Sequence, residues 1–338
     1  LPLLIVIAEF ICANFIFGFP WLSFSLIHAA NKIGTSIIFY IGTYGLSLVT
    51  IYFFLFPSIL VFENKKVKIL FFITYIIFFI ILLALNIVRA DQSNKIEDRF
   101  IKTSIIQLNN PLTIGVNSED IEKKLDNIIK LIKDSNTELI IFAENDYPYI
   151  MDDSSINLIK NNIRKNQNII IGSTRKETNK FFNSLFVINK NEYFKFDKKI
   201  LVPFGEFIPF RFVFSFMEFI AGAEDFTSGI GKRYIQLNKD THILPVICYE
   251  ILYFWKLLDK TNKDSNIIIN ITNDFWFGKF SGPYQHFYFS KLRAAEFNKP
   301  LIRVSSNGIS AYIDNYGNII DYIKLNERST KILNIKII

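Results

Sequence analysis

The chain is 338 residues long, half of them hydrophobic, and its mean hydropathy of +0.26 excludes an ordinary soluble protein. Thirty-eight Lys and Arg against 31 Asp and Glu give a formal net charge of +7. The lysines are scattered among Asn, Ile and Asp and line up on no single face, so a nucleic-acid partner is excluded and a solvated surface near anionic lipid headgroups is expected. Only two cysteines, Cys12 and Cys248, rule out a disulfide framework. The start at Leu1, with no basic segment or small-residue cleavage site, reads as a fragment rather than a signal peptide.

Three apolar stretches come first. Residues 3–27 carry Glu9 as their only charge, and 36–62 and 69–88 carry none. A helix needs roughly 20 apolar residues to cross a bilayer, so each is expected to span one, within a membrane part covering 1–88. The connector after the second stretch holds Lys65, Lys66 and Lys68, whereas the earlier one holds only Lys32. The positive-inside rule then puts the lysine-rich connector in the cytoplasm, and residues 100–338 form an extracytoplasmic domain, periplasmic in a bacterium.

From residue 101 on, short β-branched runs alternate with helix-period segments, the pattern of layered α/β architecture. Strands are expected over 103–108, 139–143, 168–172, 184–188, 243–249, 266–271 and 301–305. Helices are expected over 118–134, 155–164, 251–259 and 285–298. In the first of these, Ile121, Leu125, Ile128, Ile129 and Ile132 recur at helical spacing, and Glu119 and Asp120 suit its N-terminal turn.

Three segments end an apolar run with a reactive group. Glu144 closes Ile140-Ile141-Phe142-Ala143, Lys198 opens a loop shaped by Pro203, Gly205 and Pro209, and Cys248 ends Val246-Ile247 before a helix-like stretch. A thiol beside a helix N-terminus has a lowered pKa, and an unpaired thiol in an oxidising compartment is a liability unless it reacts. Base, cation and thiol together suffice for acyl transfer through a covalent intermediate. Histidine is the weaker base: His242 would stand about 20 Å from Cys248 along an extended strand, His286 falls in a helix and His28 at the membrane edge.

Glu, Lys and Cys in this order resemble the triad of the nitrilase, or carbon-nitrogen hydrolase, superfamily. Leu201-Val202-Pro203-Phe204-Gly205-Glu206, Cys248-Tyr249-Glu250, Asn273-Asp274-Phe275-Trp276-Phe277-Gly278 and Gly282-Pro283-Tyr284-Gln285-His286 are similar to its membrane-bound branch, the apolipoprotein N-acyltransferases. Gly18-Phe19-Pro20-Trp21-Leu22 and Tyr44-Gly45-Leu46-Ser47 resemble that branch too. The resemblance implies an α-helical transmembrane part joined to an α-β-β-α sandwich. It assigns Glu144 as general base, Cys248 as nucleophile, and Lys198 with the Tyr249 amide as oxyanion stabilisers, with Lys198 lowering the thiol pKa. Glu206, Tyr249 and Glu250 become accessory, substrate-binding residues.

The reaction so implied moves an acyl chain from a phospholipid through a Cys thioester to the α-amine of an apolipoprotein's diacylglyceryl-cysteine. It implies no metal or organic cofactor, a monomer, and residence in the bacterial inner membrane. Residues 207–223, rich in Phe and Ile, read as a core helix or as an arm dipping into the bilayer. Family members carry more spans before this region and one after it, usually a Trp after the positions of Gln107 and Pro111, and often Pro where Ala143 stands. A membrane-tethered amidase or nitrilase and a non-catalytic scaffold are the competing readings.

Overall fold

The computed structural model describes the chain except residues 16–17, 62, 93–98, 111–117, 215, 217, 219–223, 258–262 and 338. Its soluble part is two six-stranded sheets laid face to face, with strand orders β12-β1-β2-β3-β4-β5 and β11-β10-β9-β8-β7-β6. The strands are β1 Arg99–Gln107, β2 Leu139–Ile141, β3 Asn168–Glu177, β4 Lys180–Ile188, β5 Tyr193–Asp197, β6 Ile235–Gln236, β7 His242–Ile247, β8 Ile267–Thr272, β9 Leu301–Ser305, β10 Ser310–Ile313, β11 Ile319–Ile323 and β12 Ser329–Ile337. At the centre of each sheet three strands run parallel: β1, β2 and β3 in one, β7, β8 and β9 in the other.

Alternation explains the layering. Leu139 and Ile141 of β2 join Ile105, Val246, Ile269 and Val304 in the core between the sheets, while Ile140 turns to the opposite face. That outer face packs against α4 (Ser118–Asp134) and α5 (Asp153–Asn162), which contribute Ile128, Ile132, Ile156 and Ile159. Strands buried on both faces carry unbroken apolar runs, as in Ile267-Ile268-Ile269. The second sheet is backed by α6 (Ser281–Phe297), whose Leu292 and Ala295 pack on the apolar N-terminal helices beside Ile37, Ile38 and Leu46. The result is a nitrilase-like α-β-β-α sandwich.

The first expected span takes a different shape. Helix α1 covers Pro2–Asn14 only, about 20 Å at 1.5 Å per residue, short of a roughly 30 Å hydrocarbon core. Phe15 is extended, Gly18 adopts φ 64°, and residues Phe24–Ala30 wind as a separate 3₁₀ turn. A Cβ on Gly18 would sit 2.1 Å from the Ala13 carbonyl oxygen, so the reversal needs glycine. Hydropathy alone cannot register such a break. Among the described residues two helices are long and apolar enough to cross a membrane, within α2 (Lys32–Phe54) and α3 (Lys65–Gln92).

α2 is itself interrupted at Gly42, where φ 68° and ψ −179° leave the helix. Glu296 of α6 fills the break, its Oε1 accepting from the Thr43 amide at 2.7 Å. Arg293 holds that carboxylate at 2.5 Å and donates to the Thr43 hydroxyl. Arg89, near the end of α3, donates to the carbonyls of Ala295 and Asn315 at 2.8 Å each. Buried charges thus fasten the soluble sandwich to the apolar helices.

Candidate active site

Glu144, Lys198 and Cys248 stand at the ends of β2, β5 and β7, where the carboxyl ends of the parallel strands open. Close backbone approach makes the first corner: a Cβ on Gly172 of β3 would lie 2.6 Å from the Glu144 Cα. At the third corner Cys248 itself takes the left-handed φ of 48° as β7 passes into the 3₁₀ turn Cys248–Leu252. A sharp strand-to-helix turn of this kind lifts a side chain out of the sheet. All three side chains are at most 5% exposed.

Lys198 Nζ donates to Glu144 Oε1 at 3.3 Å and to Glu206 Oε1 at 2.9 Å. Asn183 Nδ2 bridges the same two oxygens at 2.7 Å each. Glu144 Oε2 accepts from the Asn273 amide at 2.8 Å, and Cys248 lines the same cavity as Glu144 and Lys198 and feels the charge of both. Base, ammonium and sulfur therefore meet in one place.

The electrostatics follow from burial and from this pairing. Desolvation raises the Glu144 pKa above its ordinary value, Lys198 opposing and Glu206 reinforcing the rise. Burial works to lower the Lys198 ammonium, but Glu144 and Glu206 more than offset it and hold the lysine charged. Burial, with the Glu144 charge, pushes the Cys248 thiol well up, Lys198 opposing. This corrects the sequence expectation of a thiol lowered by a helix end and by lysine. The turn after Cys248 is only five residues of 3₁₀ helix, and two carboxylates flank the one ammonium. The resting thiol is neutral and needs a base.

A cavity of about 380 Å³ opens onto these groups. Glu206 and Tyr249 line it, whereas Glu250 lies behind the wall, fully buried. Glu250 accepts from Arg233 at 2.7 and 2.8 Å and from the Lys199 and Ile247 amides at 2.8 Å, tying the lysine loop to the cysteine turn. Of the three expected accessory residues, Glu250 is thus the one that does not line the cavity. The apolar N-terminal part supplies Phe19 and Trp21 to the cavity: the Gly18 carbonyl accepts from Tyr249 and Tyr253, and Trp21 Nε1 donates to Gln285 at 2.7 Å.

The carbon-nitrogen hydrolase family profile matches residues 102–337. A CN-hydrolase superfamily protein from Xanthomonas campestris superposes with TM-score 0.51 at 15% identity, over 70% of this chain and 91% of that one, which shows the fold. The apolipoprotein N-acyltransferase of Rickettsia typhi is 32% identical over 338 residues, 96% of this chain and 67% of that protein. That of Rickettsia prowazekii is 32% identical with the same coverage. The chain belongs to the apolipoprotein N-acyltransferase family. It spans about two thirds of the length of these relatives.

In this acyltransferase several neighbours of the site escaped the sequence reading. Asn183 falls one residue before the strand expected at 184–188, and a buried amide inside an apolar strand was the available signal. His286 contacts the Cys248 backbone, with Nε2 3.3 Å from its carbonyl oxygen and Nδ1 2.8 Å from Asp274 Oδ1. Burial would raise the Asp274 carboxyl, but Arg303 and His286 hold it well below the usual range. His242 is engaged with Tyr234, away from the cavity. Residues 113–116, which fall near the family's missing Trp, lie outside the described residues, as does part of the arm 207–223. Where described, the arm exposes Phe210, Phe212 and Phe216.

Proposed function

We propose that this acyltransferase moves a fatty acyl chain from a phospholipid to the N-terminal amine of an apolipoprotein's S-diacylglyceryl-cysteine, through a thioester on Cys248. One observation carries the reading. A buried thiol shares one cavity with the Glu144 carboxyl and the Lys198 ammonium that donates to it, and Phe19 and Trp21 of the apolar N-terminal region wall that cavity in part.

In the first half-reaction Glu144 takes the thiol proton as sulfur attacks the ester carbonyl. Lys198, with the Tyr249 amide, stabilises the oxyanion. Collapse breaks the C–O bond, Glu144 returns the proton to the leaving glycerol oxygen, and lysophospholipid departs. In the second, the acceptor's neutral amine attacks the thioester, its proton passes through Glu144 to the departing thiolate, and the amide is released. Glu206 and Asn183 hold Lys198 and Glu144 in register throughout.

The helices within Lys32–Phe54 and Lys65–Arg89 would cross the inner membrane. Lysines 65, 66 and 68 at the start of α3 favour the cytoplasmic side there, putting the sandwich in the periplasm. Tethered hydrolysis shares the same chemistry up to the thioester. The two are separated by supplying phospholipid together with a diacylglyceryl-cysteine peptide: transfer yields N-acylated peptide, whereas free fatty acid with unmodified peptide would contradict transfer.

A further inference from the structure

The catalytic cavity is chemically divided. Phe19, Trp21, Phe204, Phe226 and Trp276 line it together with a separate polar group, Asn110, Lys124 and Asn145. Those last three also line a second cavity of about 540 Å³, to which Tyr147, Tyr149 and Thr174 contribute beside Ile121, Pro148 and Ile150, and among the described residues none before Asn110 lines it. The two spaces therefore meet at Asn110, Lys124 and Asn145, with the aromatic wall of the inner cavity on one side and an outer vestibule of mixed lining, holding Lys124 and its two amide neighbours, on the other. A phospholipid laid across that boundary would keep its tails on the aromatic wall and bring its headgroup to these polar groups.

We infer that Lys124, with the side-chain amides of Asn110 and Asn145, forms a subsite for the phosphodiester of the acyl donor; this rests on the acyl-transfer reading above. Lys124 lies on α4 and makes no ion pair among the described residues, although its neighbour Lys123 pairs with Glu119 at 2.7 Å. Two carboxyl groups face the same region. Asp120 lines the outer cavity, and Asp146, fully buried, is engaged by the Ala143 amide at 2.8 Å and the Ser306 hydroxyl at 3.3 Å. Burial lowers the Lys124 pKa and Asp146 opposes the fall, as expected for a cation partly withdrawn from water with no close partner.

An ammonium in such a place is costly unless an anion completes it, and lysine serves phosphate as a point charge. The phosphate is the one fixed negative charge on every phospholipid, separated from the acyl ester by only the glycerol carbons. Asn145 follows Glu144 directly in the chain and holds a left-handed φ of 54°, so the vestibule begins one residue from the carboxyl that faces the ester. The bound lipid would then lie with its tails along Phe19 and Trp21, its ester at Cys248 and its phosphate at Lys124.

The test compares acylation of Cys248, read by mass spectrometry of the full chain in detergent, from dipalmitoyl phosphatidylglycerol and from uncharged dipalmitoylglycerol. For Lys124→Gln the rate ratio of phospholipid to uncharged donor should fall about tenfold, and Lys124→Arg should restore most of it. An unchanged ratio overturns the subsite. Should Lys124→Gln fail to fold, competition on the wild-type chain decides: sn-glycerol 3-phosphate should slow acylation by the phospholipid where glycerol does not, and equal effects overturn the proposal. Absence of thioester from both donors would instead contradict the acyl-transfer reading itself.

Discussion

Glu144 is asked to be a base while buried beside a second carboxylate, and its raised pKa sets the working range. A carboxyl acts as a base only when ionised, so the acid limb of the acylation rate should fall at a pH above glutamate's ordinary 4.5. A limb at or below that value would show that Glu144 does not limit the step. Glu144→Gln should slow thioester formation by roughly 10²–10⁴-fold with the fold intact.

Asp146 gives a separate, structural pH signature. Desolvation raises its pKa from 3.8 to about 6, so it favours folding fully below pH 3.8 and loses that contribution as pH rises through about 6. The difference of some two units corresponds to about 3 kcal/mol. Asp146→Asn should therefore melt higher than wild type at pH 7.5, with the gap closing at pH 4; parallel melting curves across that range would refute the assignment. Of these residues Glu144 and Cys248 were legible because each ends an apolar run, and Lys198 because it opens a loop shaped by Pro203 and Gly205. Asp274 and His286 fell inside motifs, but their pairing with each other and the contact of Asn183 with Glu144 appear only after folding.

The helices were legible where one face alone is buried. Spacing predicts α4 over 118–134, and the structure has Ser118–Asp134. The central strands buried on both faces were found as apolar runs, but β5, β6, β10, β11 and β12 were not. β12 mixes Lys331, Asn334 and Lys336 into its run and pairs with β1 only in three dimensions. The break at Gly42 was invisible for the same reason, since the carboxylate that occupies it arrives from Glu296, over 250 residues away. Removing that partner strands Arg293 in an apolar setting. Glu296→Ala should destabilise the chain by about 3–5 kcal/mol, seen as a lower melting temperature in detergent. A change under about 1 kcal/mol would mean that the α2–α6 contact does not depend on the pair. The Glu250–Arg233 pair predicts a similar loss for Glu250→Gln, because the carboxylate also receives three backbone amides.

At the scale of the whole molecule, the apolar region and the sandwich share one cavity, whose Phe204 packs edge-on against Phe214 of the arm on which Phe210, Phe212 and Phe216 expose their rings. Three exposed aromatics on one short arm suit burial in a lipid interface. Phe212→Asp, in the most exposed of the three at 86%, should reduce acylation from vesicle phospholipid several-fold while sparing acylation from detergent-dispersed lipid. Equal rates from both lipid forms would remove the arm from the account. Composition separates an apolar from a charged part of the chain, whereas the short first helix and the return of Phe19 and Trp21 to the cavity depend on a turn at Gly18 that hydropathy averages away.

The central claim is that sulfur, carboxyl and ammonium act as one acylating unit. Its most direct test is intact-protein mass spectrometry after incubation with phospholipid. The wild-type chain should gain the mass of one acyl group, removable by hydroxylamine and mapped to Cys248, and Cys248→Ala and Glu144→Gln should gain none on that timescale. An adduct that persists in Cys248→Ala, or a wild-type chain that never acquires one, would contradict the account.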